Sequence, residues 1–176
     1  MRDGHERVAV TGEQIIRSLN SKIDSVCGTA RRENDDVKPL DTTPDVRSRM
    51  SRQKSRDTQV EVALRRALHA AGFRYRVHRR PVKGVRREAD IVFGPARVAV
   101  FVDGCFWHGC PEHATWPRRN AEFWRAKIEG NRSRDVDTDA RLAEAGWLAV
   151  RVWEHEKVEA AAGRVAEIVR GRRTAV

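Results

Sequence analysis

Arg97-Val98-Ala99-Val100-Phe101-Val102-Asp103-Gly104-Cys105-Phe106-Trp107-His108-Gly109-Cys110-Pro111-Glu112-His113 runs from a β-prone stretch directly into a loop crowded with cysteines, histidines, glycines and aromatics. Arg97–Val102 has the composition of a strand, and so has Ala89–Phe93 before it. Gly94-Pro95-Ala96 between them is a hairpin signal. Two short strands that deliver a ligand-rich loop decide how the rest of the chain is read.

Upstream, Thr58 is placed to cap a helix, with Glu61 three residues later in a capping box and Val60, Leu64, Ala67, Leu68 and Ala71 on one face. Gly72 closes that helix. Phe73, Tyr75 and Val77 alternate with basic residues, the pattern of a half-exposed strand. Asn120–Ala145 is helical in composition, and Gly130-Asn131 predicts an interruption, hence two helices. Trp147–Trp153 is β-prone and returns to the sheet, and Lys157–Arg170 is a terminal helix. This order implies an α/β domain with a mixed central sheet flanked by helices.

The chain has 176 residues, 40% of them hydrophobic and 34% charged, enough for one domain with a real core. Residues 1–43 lack Phe, Trp and Tyr and carry 7 Lys/Arg against 8 Asp/Glu. Residues 44–176 carry 28 against 17, a balance of +11, so the chain's net charge of +10 comes entirely from them. Val8–Ile23 has the pattern of a short helix, with Ile15, Ile16 and Leu19 on one side, yet segment 1–43 reads as a flexible extension that Pro39 and Pro44 separate from a domain over 44–176. The basic excess favours a polyanionic partner. Three cysteines give no disulfide framework and suit a reducing interior. Neither a signal peptide nor a membrane span is legible, so a cytoplasmic protein is expected.

Cys105, Cys110 and His113 crowd one loop, and His155, at the end of the Trp147–Trp153 strand, can complete a Cys2His2 tetrahedron. Four protein ligands would make the zinc structural. The competing reading treats the cysteines as small buried hydrophobes and the histidines as exposed loop residues. His108, in the same loop, is either a spare ligand or a base that takes a proton from an attacking water.

Mg²⁺ needs hard oxygen ligands. Asp90, opening one strand, the Val102 carbonyl and Asp103, closing the next, are neighbours across a hairpin, and Glu61 can aim at the same ion. Simple capping accounts equally for Glu61, and turn chemistry for Asp103-Gly104. Asp90 opens an otherwise apolar run, where a carboxylate needs a partner or a function. Phe106 and Trp107, with Trp124 between Arg118-Arg119 and Lys127, suit a wedge that unstacks base pairs.

The segment Phe101–His113, followed by Asn120-x-x-Phe123-Trp124-x-x-Lys127-Ile128, Asn131-x-x-Arg134-Asp135, Gly146-Trp147 and Trp153-Glu154-His155, resembles the very-short-patch repair (Vsr) endonucleases. Arg47-Ser48-Arg49-Met50, Arg56-Asp57-Thr58 and Asp90 match upstream, so the resemblance covers about residues 45 to 156. It implies a restriction-endonuclease-like fold with a structural Zn²⁺ and Mg²⁺-dependent nicking of double-stranded DNA 5′ to the thymine of a T·G mismatch. By position it makes Asp90 and Val102 the Mg²⁺ ligands, His108 the general base and Glu61 a glutamate near the site. Phe106, Trp107 and Trp124 become intercalating aromatics, with Asn131 and Arg134 at the DNA. Cys105, Cys110, His113 and His155 become the zinc ligands. The best-studied family pattern has histidine where Asp103 stands and cysteine where His155 stands. Arg134 and Asp135 suit either phosphate contact and site organisation or a helix ion pair. A monomer at the bacterial nucleoid, working with other repair proteins, is the implied setting. The alternatives are a nuclease of this fold without T·G preference and a zinc-stabilised DNA-binding module.

Overall fold

Thr58 and Glu61 close the capping box read from the sequence: Glu61 N–H donates to Thr58 Oγ1 (3.3 Å), and the Glu61 carboxylate reaches back to Asp57 N (3.0 Å). They start helix α1 (Gln59–Ala70) in a computed structural model that describes residues 56–174. The expected extension 1–43, the Val8–Ile23 helix and Arg47–Met50 lie outside the described residues. Gly72, at φ +86, ends the helix, with Phe73 N–H returning to Leu68 O (3.0 Å).

Four strands follow: β1 (Arg76–Arg79), β2 (Ala89–Phe93), β3 (Val98–Asp103) and, after helix α2 (Ala121–Glu144), β4 (Leu148–Trp153). Helix α3 (Val158–Thr174) ends the described chain. The sheet order is β1-β2-β3-β4, antiparallel at its first two pairings and parallel between β3 and β4, which α2 connects as a crossover. The fold is therefore α/β with a mixed sheet flanked by helices, as expected.

One sheet face packs Ile91, Phe93, Val98, Val100, Val150 and Val152 against Leu64 and Leu68 of α1 and Val165 and Val169 of α3. The other face packs Val92, Ala99 and Phe101 against Leu142 of α2 and the half-buried Trp147. Strands covered on both sides explain the near-continuous apolar runs of β2 and β3.

Two expectations are corrected. The anticipated break at Gly130-Asn131 does not occur, and α2 is one helix of 24 residues. Its sheet-facing residues Trp124, Ile128, Asn131, Asp135, Thr138 and Leu142 are all buried at spacings of three and four, and this tertiary stripe outweighs the local cost of glycine. Phe73 and Tyr75 do not belong to β1: both pack on Phe93, with ring centroids 6.0 and 5.8 Å away, in the approach to the strand.

Candidate functional site

The antiparallel register between β2 and β3 runs Phe93↔Val98, Val92↔Ala99, Ile91↔Val100. One step further, Val102 N–H donates to Asp90 Oδ2 at 2.7 Å, so a side-chain carboxylate sits where the ladder opens. Burial pushes the Asp90 carboxyl up to about 6; the Val102 N–H and His78 pull it down, while the charges of Glu61 and Asp103 push it further up. Several carboxylates thus converge on this strand end with too little positive charge around Asp90. A divalent cation would relieve that imbalance, and Asp90 supplies the hard oxygen chemistry it needs.

Glu61 is buried and fully engaged by Asp57 N, Thr58 Oγ1 (3.0 Å) and Arg65 Nη2 (2.7 Å). His78 of β1 stands between the paired positions Val77↔Ile91 and Arg79↔Ala89, its Nδ1 4.0 Å from Asp90 Oδ1 and its Nε2 3.2 Å from Asp57 Oδ1. It has φ +48, a conformation that non-glycine residues hold only when their surroundings impose it. His78 is not legible as a site residue in the sequence, because a histidine in a run of arginines carries no local signal.

The loop after β3 is held to α2. Asn131 Nδ2 donates to Trp107 O (2.7 Å), and a Cβ at Gly109 (φ +61) would lie 2.9 Å from Ile128 Cγ2, so that position needs glycine. His108 Nδ1 consequently meets Asp135 Oδ2 at 2.5 Å and lies 3.6 Å from Asp103 Oδ1. Burial raises the Asp135 carboxyl, but His108, Arg151 and Arg87 outweigh it and hold the group below the usual range.

Arg151, at the middle of β4, was missed altogether. Its Nη1 donates to both Asp103 oxygens (3.0 and 2.8 Å), its Nε and Nη2 to Asp139 (3.0 Å each) and its Nη2 to Asp135 O (3.3 Å). The guanidinium lies over Phe101 at 5.0 Å. Burial works against its charge, but Asp139, Asp103 and Asp135 hold it protonated well above the usual range. Burial in turn raises Asp103, and Arg151 only partly offsets this. The available signal was the residue itself: an arginine inside Leu148–Trp153, a strand packed on both faces, needs acidic partners.

Cys105, Cys110, His113 and His155 offer four ligand atoms all within 4.8 Å of one another. His155 Nδ1 is 3.1 Å from Cys105 Sγ and 3.6 Å from Cys110 Sγ, and His113 Nδ1 is 4.0 Å from Cys110 Sγ. A zinc tetrahedron with usual bond lengths has edges of about 3.4–3.8 Å. The donor set fits such an ion. Burial, then Cys110, pushes the Cys105 thiol up to about 11, so this buried sulfur calls for a cation before it ionises.

Phe106, Trp107 and Trp124 form one aromatic cluster, with centroid separations of 5.2, 5.3 and 5.9 Å. Phe106 and Trp107 are half-buried; Trp124 lies deeper, 7% exposed. Asn131 is buried, and Arg134 beside it pairs with the Asn131 amide oxygen. No helix among the described residues is long and apolar enough to cross a membrane.

The sequence has known relatives. The profile of the family described as DNA mismatch endonuclease Vsr matches residues 40–113. The type II nicking enzyme V.NaeI of Lentzea aerocolonigenes is 42% identical over 120 residues, covering 67% of this chain and 72% of that protein. The type II nicking enzyme V.XorIIP of Xanthomonas oryzae pv. oryzae is 41% identical over 109 residues, 61% of this chain and 77% of its own. DNA mismatch endonuclease Vsr of Escherichia coli K12 is 34% identical over 120 residues, 62% of this chain and 73% of its own. With such identity over more than two thirds of these relatives, the chain belongs to the Vsr family of DNA mismatch endonucleases.

Proposed function

We propose that this endonuclease hydrolyses one phosphodiester bond of duplex DNA, 5′ to the thymine of a T·G mismatch, with Mg²⁺ as cofactor and Zn²⁺ as a structural ion. The observation that carries this reading is the His108–Asp135 contact beside the Asp90 strand end, a base-and-orienter pair next to a carboxylate fit for a hard cation.

Asp135 accepts from His108 Nδ1–H, which leaves Nε2 with its lone pair free. Nε2 takes a proton from the attacking water, the water oxygen bonds to phosphorus, and the P–O3′ bond breaks, the departing 3′-oxygen taking a proton from a second water, which leaves a 3′-hydroxyl and a 5′-phosphate. Asp90 and the Val102 carbonyl would hold Mg²⁺, which would supply charge stabilisation for the phosphoryl oxygens. Glu61, already engaged by its own helix cap and Arg65, keeps α1 and its negative charge beside Asp90. Arg151 balances Asp103, so Asp103 acts in this chain as a charge-compensated strut beneath His108.

Phe106 and Trp107 press into the base stack with Trp124 behind them, and a mismatch is where unstacking costs least. Asn131 fixes the loop, and Arg134 adds charge at the DNA. Cys105, Cys110, His113 and His155 would hold zinc, which would tie this loop to the end of β4. A monomer accounts for cutting one strand. The test is His108→Ala and Asp90→Ala: both should abolish nicking of T·G duplex while binding persists. Full nicking by either variant would overturn the assignment.

A further inference from the structure

A groove of about 750 Å³ runs beside β1 and β2, lined by Arg74, Arg76, Arg79, Arg80 and Arg173, with Val92 and Trp147 among its apolar lining. Among the described residues, no carboxylate lines it. Arg76 and Arg79 both line this groove, on either side of His78 at φ +48.

The register locates the groove relative to the cleavage site. Arg79 pairs with Ala89, one residue before Asp90, and Arg76 pairs with Val92, toward the hairpin at Gly94-Pro95, which also lines the groove. At about 3.3 Å per strand residue, the Arg76-to-Arg79 span is roughly 10 Å, enough to engage about two neighbouring phosphates of one DNA strand. Arg76 and Arg79 are exposed, and neither pairs with a carboxylate among the described residues. Arg80 shares Glu88 with Arg56, and Arg74 donates to Phe73 O (3.1 Å).

We infer that this groove binds the phosphodiester backbone of duplex DNA flanking the nicked bond, a second phosphate track that sets affinity without touching the chemistry. The inference rests on the DNA-nicking reading for its ligand, but binding alone tests it. Each phosphate neutralised contributes about 0.9 to the slope of log affinity against log salt.

The experiment compares the full-length protein with Arg76→Ala/Arg79→Ala on a duplex of about 30 base pairs, fully paired or carrying one T·G, from about 0.15 to 1 M salt. The double variant should lose about 1.8 from the slope and bind roughly 30-fold more weakly at 0.15 M, converging on wild type near 1 M. Single-turnover nicking at saturating DNA should be unchanged. An unaltered slope overturns the inference and leaves the groove to an acidic protein partner. Loss of nicking at saturation by a variant with wild-type melting also overturns it, because the arginines would then belong to the cleavage site. Failure of the nicking reading itself would appear separately, as wild-type protein that binds but never cuts.

Discussion

His108 Nδ1 and Asp135 Oδ2 lie 2.5 Å apart, joining the loop after β3 to the middle of the helix that crosses the sheet. The contact leaves one nitrogen of a loop histidine available and fixes which one. If it orients the general base, Asp135→Asn should lower single-turnover nicking by about 100-fold or more, with DNA affinity within a few-fold of wild type. Unchanged nicking by a folded Asp135→Asn protein would reduce the contact to an ion pair.

Asp90 should oppose folding while serving catalysis. Its folded value of about 6 lies above the ordinary 3.8, so the native state holds the proton more tightly than the unfolded chain. Stability is therefore lost as pH rises from about 4 to 6, by at most about 3 kcal/mol. In chelator, Asp90→Asn should melt like wild type near pH 4 and higher above pH 6, while nicking disappears. Thermal melts across that range, beside a cleavage assay, check both halves.

Arg151 balances buried Asp103, and removing it should strand that charge. Arg151→Met is expected to destabilise the fold by about 3 kcal/mol, and adding Asp103→Asn should recover a substantial part. A urea-unfolding double-mutant cycle measures the coupling. Additive effects would mean that the two residues do not depend on each other.

Zinc should copurify at about one per chain. A zinc chelator, or Cys105→Ser, should lower the melting temperature even without DNA. Zinc-free protein with wild-type melting would contradict the ligand assignment.

What could be read from the sequence followed locality. The Thr58–Glu61 box, the hairpin at Gly94-Pro95 and the ligand spacing of Cys105, Cys110 and His113 are short-range patterns whose physics lies within a few residues. The length of α2 was not legible, because Gly130 and Asn131 argue locally for a break. What holds them in one helix is tertiary: Asn131 on the Trp107 carbonyl, and a buried stripe that turns from Ile128 to polar Asn131, Asp135 and Thr138 where the site lies. Arg151 and His78 were invisible for the same reason. Each takes its meaning from carboxylates 12 to 48 positions away in sequence, brought close only by strand pairing and the crossover.

The measurement that tests the central claim most directly is nicking of two matched duplexes, one with a single T·G mismatch and one with T·A, in Mg²⁺ with the cut bond mapped. The account predicts one nick, 5′ to the mismatched thymine, with the paired control cut at least about 100-fold more slowly, and loss of that nick in His108→Ala. Equal cutting of both duplexes would contradict the mismatch reading, and a His108→Ala protein that still nicks would contradict the site.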